Sequence, residues 1–327
     1  MNSVLGMGNA LVDVMTLLEG DKILRDFKIP KGSMQLVTKE LSNRILASTL
    51  GLKKVQSSGG SAANTIHGLS HLGIKTGFVG KIGHDNLGKF FEKDMQQNNI
   101  KPVLFRDLEE TGRSIALISP DSERTFATYL GAAINLKEED LTSDIFTKFQ
   151  HFHVEGYQVQ NKNLVRKALR LAKSFGLIVS LDMASYNVVA ENVEFLESII
   201  SEYVDVVFAN QQEAEVFTAK KSKDAFRQLA KYCEIAVMKL GVQGSLVRRG
   251  NEECEVGIVE VDTIDTTGAG DLYAAGFIYG LCKDQPLDRC GHIGAICSAY
   301  VTEVIGAKMD EDRWEIIRQK IEDVIAA

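Results

Sequence analysis

The sequence predicts an α/β protein with a mainly parallel sheet, helices on both faces, and a small β lid. Three observations carry that prediction. Short apolar strands alternate with amphipathic helical stretches along most of the 327 residues, the pattern of βαβ units and of parallel pairing. Two strand-rich stretches, residues 11–56 and 104–131, break that rhythm. Near the C-terminal end, Asp265-Thr266-Thr267-Gly268-Ala269-Gly270-Asp271 joins an alternating run to a helix rich in small residues.

In chain order, a first strand ends in Gly6-Met7-Gly8, and Asn9 and Asp13 follow among apolar neighbours. One helix is expected near Lys39–Thr49, inside the first irregular stretch. Gly59-Gly60-Ser61-Ala62-Ala63-Asn64 opens a helix that runs to about Leu72 and stops at Gly73; Ser61 is a natural N-cap. Strand Thr76–Lys81 leads to helix Asn86–Asn98, and Ser114–Ser119 and Arg124–Tyr129 flank a Pro120-Asp121 turn as a hairpin. The βαβ series resumes with His151–Glu155 and Asn161–Phe175, Leu177–Asp182 and Val193–Ile200, and Val204–Asn210 and Gln212–Thr218. Ile235–Leu240 then turns through Gly241–Ser245 into Leu246–Arg249, and Val256–Asp265 reads as a strand before the last glycine turn. This assigns residues 1–10, 57–103 and 132–327 to a large domain and 11–56 and 104–131 to the lid. Ligands of such sheets bind beyond the strand C-termini, under a lid of this kind.

Composition narrows the function. With 45% hydrophobic and 25% charged residues and net charge −7, the chain is an ordinary globular protein without the basic surface of a nucleic-acid binder. Its five cysteines, at 233, 254, 282, 290 and 297, show no CxxC spacing, which fits reduced thiols and a cytoplasmic location. The N-terminus lacks a basic n-region, and no apolar run is long enough to cross a membrane. A monomer or homodimer acting on a small molecule is the expectation.

The Asp265–Asp271 segment is the strongest chemical signal. A glycine turn entering a helix aims backbone N–H groups and the positive end of the helix dipole at one point, which suits an anion. Asp271, in the first helical turn, adds a potential base, as phosphoryl transfer to a hydroxyl requires. Asp13 can accept bonds from adjacent sugar hydroxyls, and Asn64 can bond another. Asn210 and Glu213 suit a hydrated magnesium and equally form a capping box. Other motifs fail on inspection: Gly83–Phe90 resembles a P-loop, but Phe90 stands where Ser or Thr should be. Gly6-Met7-Gly8 lacks the third glycine of a dinucleotide fingerprint, and His67 and His71 lack the glutamate of a zinc-protease helix.

Gly59–Asn64, Asn210-Gln211-Gln212-Glu213, Leu240-Gly241-Val242-Gln243-Gly244 and Asp265–Asp271 occur in an order and spacing that resemble the ribokinase-like (PfkB) family. Gly6–Asp13, Thr128–Ala133, Gln35 and Glu155-Gly156-Tyr157 resemble its adenosine-kinase branch. The resemblance implies ATP as donor, Mg²⁺ near Glu213 and Asn210 through water, and Asp271 as base. It also implies Gly268, Ala269 and Gly270 as the anion hole. Asn9, Asp13, Gln35, Gly60 and Asn64 would then hold the acceptor, with Tyr157 and Tyr186 against its base. Asn210, Lys239, Gly241, Gly244 and Thr267 would hold the nucleotide, and Asp265 and Thr267 lie where relatives bind a monovalent cation, K⁺ being the candidate. Lys239 departs from the threonine common at its position, as do Asp182–Ser185 and Leu272-Tyr273 from the usual residues at theirs. Arg124 is read as a lid-surface residue. Adenosine is the expected acceptor. The alternatives are a carbohydrate kinase acting on ribose, fructose or a 2-keto-3-deoxy sugar acid, a non-catalytic nucleotide or sugar sensor, and a dinucleotide oxidoreductase.

Overall fold

Runs of fully buried β-branched and aromatic residues form the central strands, because a sheet covered on both faces selects for them. The structure is a computed structural model that describes residues 2–121 and 123–326. Met1, Ser122 and Ala327, which fall within the ranges expected above, lie outside them. Among the described residues the strands are β1 (Ser3–Met7), β2 (Leu11–Leu17), β3 (Met34–Leu36), β4 (Lys54–Gly59), β5 (Lys75–Gly83), β6 (Ile100–Asp107), β7 (Thr111–Ile118), β8 (Arg124–Gly131), β9 (His151–Glu155), β10 (Ile178–Asp182), β11 (Val206–Asn210), β12 (Ile235–Lys239), β13 (Ser245–Arg249) and β14 (Glu252–Val256). They build a nine-stranded sheet in the order β14-β13-β12-β11-β10-β9-β1-β5-β6 and a five-stranded sheet in the order β3-β8-β7-β2-β4. The large sheet is parallel from β12 to β6; β13 runs against it, pairing antiparallel with both β12 and β14. Two apolar cores cover its faces, and a third, around Ile45, Ile115 and Leu117, lies under the small sheet.

Two expected boundaries move. Residues 104–107 belong to β6, whose parallel register with β5 runs on to Gly83 and Asp107. Residues 57–59 belong to β4, which pairs with β2 as far as Leu11 and Gly59. In both cases a strand continues past the point where the sequence pattern changes.

The expected strand at Val256–Asp265 is not one. β14 ends at Val256, and residues 257–265 have no ladder partner. The alternation was misleading because it came from residues bordering a cleft: Ile258 and Ile264 are exposed, and Gly257 to Thr263 line the cavity wall.

Helices Ala269–Cys282 and Leu287–Val301 pack so closely that a Cβ on Gly276 would lie 2.5 Å from the Ile293 carbonyl oxygen. Backbone cannot step aside as a flexible side chain does. Gly276→Ala is therefore expected to destabilise the fold by roughly 1–3 kcal/mol, measured as a lower urea midpoint at unchanged m-value.

Candidate active site

The C-terminal ends of the parallel strands set polar residues in a row: Glu155 on β9, Asp182 on β10, Asn210 on β11 and Lys239 on β12, with register pairs Asp182–Glu155 and Asn210–Lys239. Above them opens a cleft of about 2250 Å³ that reaches from the small sheet to the 257–263 wall.

Two helix N-termini converge there. Gly268, at φ +80°, is the N-cap of the helix Ala269–Cys282; a Cβ there would lie 2.6 Å from the Ala307 Cβ, so only glycine fits. The Ala269 N–H donates to the Thr266 carbonyl at 3.2 Å, whereas the N–H groups of Gly268, Gly270 and Asp271 have no acceptor among the described residues. The expected anion hole is thus corrected: Ala269 lines the cleft, but its donor is already used.

Asp271 is buried. Ser61 Oγ donates to its Oδ1 at 2.7 Å and Asn64 Nδ2 to its Oδ2 at 2.9 Å. Burial pushes its pKa up to about 6 against the pull of those two donors. Ser61 is not the N-cap expected; Gly60 is, which leaves the Ser61 hydroxyl free to reach the partner helix. Asn64 Oδ1 is buried without a partner.

Asp13 lines the cleft from β2. Burial raises its carboxyl to about 7, with Lys308 opposing and Asp271 adding to the shift. Asn9 also lines the cleft, held by Glu155 accepting its N–H at 2.9 Å and by Gln158 donating to its Oδ1 at 2.9 Å. Glu155 accepts from the Ala62 N–H as well, at 2.8 Å, and burial raises it to about 7. One buried carboxylate thereby ties the end of β1 to the start of the helix Ser61–His71.

Gly60, Tyr157, Gly241, Gly244 and Thr267 line the cleft. Gln35 and Tyr186 do not. Strand alternation turns Met34 and Leu36 inward and sends Gln35 outward, where it donates to Ser33 Oγ at 3.4 Å. Tyr186 is 43% exposed at the start of its helix, and its neighbours Ser185 and Asn187 face the cleft instead.

Asn210 and Glu213 form the capping box. Glu213 accepts from the Asn210 N–H and Nδ2, each at 2.7 Å, and burial, with Asp182 adding, raises its pKa to about 7 although Lys239 opposes. Among the described residues no group of three or more His, Cys, Asp or Glu could hold a metal directly. Asp182 adds negative charge beside Glu213 in the cleft, and the Lys239 ammonium offsets it.

The K⁺ position does not fit. Asp265 accepts from Thr267 N–H at 3.0 Å, Thr267 Oγ1 at 2.8 Å and Gly306 N–H at 2.6 Å, and it pairs with Arg124 from β8. Both carboxylate oxygens are taken, and a guanidinium already supplies the charge. Arg124 is therefore no surface residue: its side chain is buried against the turn and donates to Thr267 Oγ1 at 3.4 Å.

Sequence reasoning overlooked Ser61 as a partner of Asp271 and Asp182 as a site residue. Asp182 accepts from Lys239 Nζ at 2.7 Å and from the Ala184 N–H at 2.9 Å. A carboxylate ending a buried parallel strand was the available signal.

A lidded α/β body, a helix end with free N–H donors and a buried carboxylate beside it define a class, the phosphotransferases with an alcohol group as acceptor. The family is equally plain: the model of the pfkB family carbohydrate kinases matches residues 44–313, and the chain belongs to that family. A structure of a probable sugar kinase protein from Rhizobium etli CFN 42 is 29% identical, covers 98% of each chain, and has a TM-score of 0.89. The adenosine kinase of Sinorhizobium meliloti is 31% identical over 98% of this chain and 99% of its own, with a TM-score of 0.88. A 5-dehydro-2-deoxygluconokinase of Geobacillus kaustophilus is 29% identical over 74% of this chain and 78% of its own length. The protein is a sugar or nucleoside kinase, and kinases of this family use ATP, usually with Mg²⁺.

Asp13 gives a test of the site's electrostatics. Its folded pKa, about 7, lies above the ordinary 3.8. Stability from its protonated form is full below about 4 and is lost as pH rises through about 7. Asp13→Asn is expected to raise the melting temperature more at pH 8 than at pH 5, measured by scanning fluorimetry; an equal effect at both pH values would refute the buried charge.

Proposed function

We propose that this kinase phosphorylates the hydroxymethyl group of a ribose-containing acceptor, adenosine being the best match. The observation that carries the reading is the apolar wall over the acceptor end of the cleft: Met34, Leu36, Phe126, Leu130, Ile134 and Leu136 face it, with Tyr157 nearby. A purine needs apolar and aromatic surface, and base–aromatic stacking contributes roughly 1–3 kcal/mol. A free sugar offers little to such a wall. A sugar acid or sugar phosphate needs a cation, and besides Lys239 the described lining residues offer only Lys162, outside the lid. The 31% identity to an adenosine kinase supports the same choice.

In this reading Asp13, Asn9, Asn64 and Gly60 hold the ribose. The unpartnered Asn64 Oδ1 accepts from an acceptor hydroxyl. The incoming hydroxyl displaces Ser61 or Asn64 from one Asp271 oxygen and gives that oxygen its proton as it attacks the γ-phosphorus. The N–H groups of Gly268, Gly270 and Asp271 receive the charge on the group in transit. Gly241, Gly244, Thr267 and Asn210 bound the nucleotide end, and Lys239 faces its phosphates. When bound, Mg²⁺ neutralises phosphate charge from the side of Glu213 and Asn210. The lid keeps water from competing with the acceptor.

An ADP-release assay across nucleosides and free sugars is expected to give the highest kcat/KM with adenosine; a higher value with ribose, fructose or a keto-deoxy acid would replace this reading by the carbohydrate one. Asp271→Asn should lower kcat by roughly 10²–10⁴ with little change in nucleotide binding. For the wild type, kcat/KM should fall as pH drops through about 6, where burial sets the Asp271 carboxyl.

A further inference from the structure

Lys239 is a largely buried cation at the floor of the cleft, and its surroundings give its charge a use. It ends β12, reaches across the end of β11, and donates to Asp182 Oδ2 at 2.7 Å. Asp182 is itself fixed, its Oδ1 accepting from the Ala184 N–H. An ammonium has three donors, and Asp182 takes one; the other two have no acceptor among the described residues. The same Nζ lies 3.1 Å from where a Cβ on Gly270 would be, against the helix end whose N–H groups are free. A group seated on those N–H donors would touch the ammonium.

The charge is secure. Burial acts against it, but Asp182, Glu213 and Asp271 outweigh burial and hold the Lys239 pKa above its ordinary value. Three carboxylates around one cation also explain why Lys239 does not leave for solvent.

Resting on the kinase reading above, we propose that Lys239 is a catalytic residue whose ammonium contacts the phosphoryl group in transit, and that Asp182 is the positioning residue that holds it there. The bond from the acceptor oxygen to the γ-phosphorus forms as the bond to the ADP oxygen breaks. The hydroxyl proton goes to Asp271, and Lys239 keeps all its protons. Two N–H donors of the ammonium then meet the equatorial oxygens from the β12 side.

Lys239→Met is expected to lower kcat by roughly 10²–10³ while the acceptor KM stays within a few-fold. Lys239→Arg should keep part of the lost rate, and Asp182→Asn should cost about tenfold in kcat by loosening the ammonium. Binding supplies a readout without turnover: Lys239→Met should weaken AMP-PNP about tenfold and leave ADP nearly unchanged, since only the former carries the contacted group. The double variant Asp182→Asn/Lys239→Met removes both members of the ion pair and so controls for a stranded Asp182 carboxylate. If Lys239 served only to neutralise Asp182, that double variant would recover wild-type turnover, and the proposal would be wrong. Equal loss of AMP-PNP and ADP affinity, or an unchanged kcat in Lys239→Met, would also overturn it. Failure of the wild type to turn over any acceptor would sink the acceptor reading alone, because the AMP-PNP and ADP comparison still decides the role of Lys239.

Discussion

Two hydrogen bonds to Asp271, from Ser61 and Asn64, join the first turns of two helices across 210 and 207 residues of sequence. Each helix is set by its own glycine turn, and each brings a different function to the junction: free N–H groups on one, polar side chains on the other. The helix Ser61–His71 follows β4 of the small sheet, and the helix Ala269–Cys282 follows the unpaired wall, so both start at the cleft. Without that convergence the carboxylate would be a first-turn aspartate favoured by the dipole alone.

The cost of the arrangement is electrostatic. Asp13, Glu155, Glu213 and Asp271 are all raised by burial, to between about 6 and about 7. Ionised together they oppose folding, and the fold carries that opposition at the one place where an unprotonated base and a cation-bearing ligand are needed. Lys239 and Lys308 moderate it from two sides, and Lys308 Nζ has no hydrogen-bond partner among the described residues. Strain of this kind is common at functional sites, where stability is given up for chemistry.

Much of this was legible in the sequence. The strand–helix alternation located the strands of the large sheet except β6 and β14, because period and turn residues there agree with the tertiary structure. The glycine turns and Asp271 were legible because backbone geometry admits few residues at such places. What stayed hidden depends on facing. The alternation in 257–265 looked like a half-buried strand, yet its apolar residues meet a cleft. Gln35 and Met34 differ by one position, and only the pairing of β3 with β8 decides which turns inward. The partnerships Ser61–Asp271, Arg124–Asp265 and Asp182–Lys239 join distant segments, and no local pattern encodes them.

The wall at residues 257–263 has a consequence for how the two ends of the cleft can change. The acceptor end is bounded by paired strands and by helix starts tied through Glu155 and Asp271, so an altered side chain there disturbs several fixed neighbours at once. The wall at residues 257–263 has no ladder to break, and displacing it costs little beyond its own contacts. Sequence drift and variation in donor fit should therefore accumulate along that wall, while a change of acceptor demands coordinated replacements on β2, β3 and β8. Tolerance and selectivity are housed in different mechanical materials within one cavity.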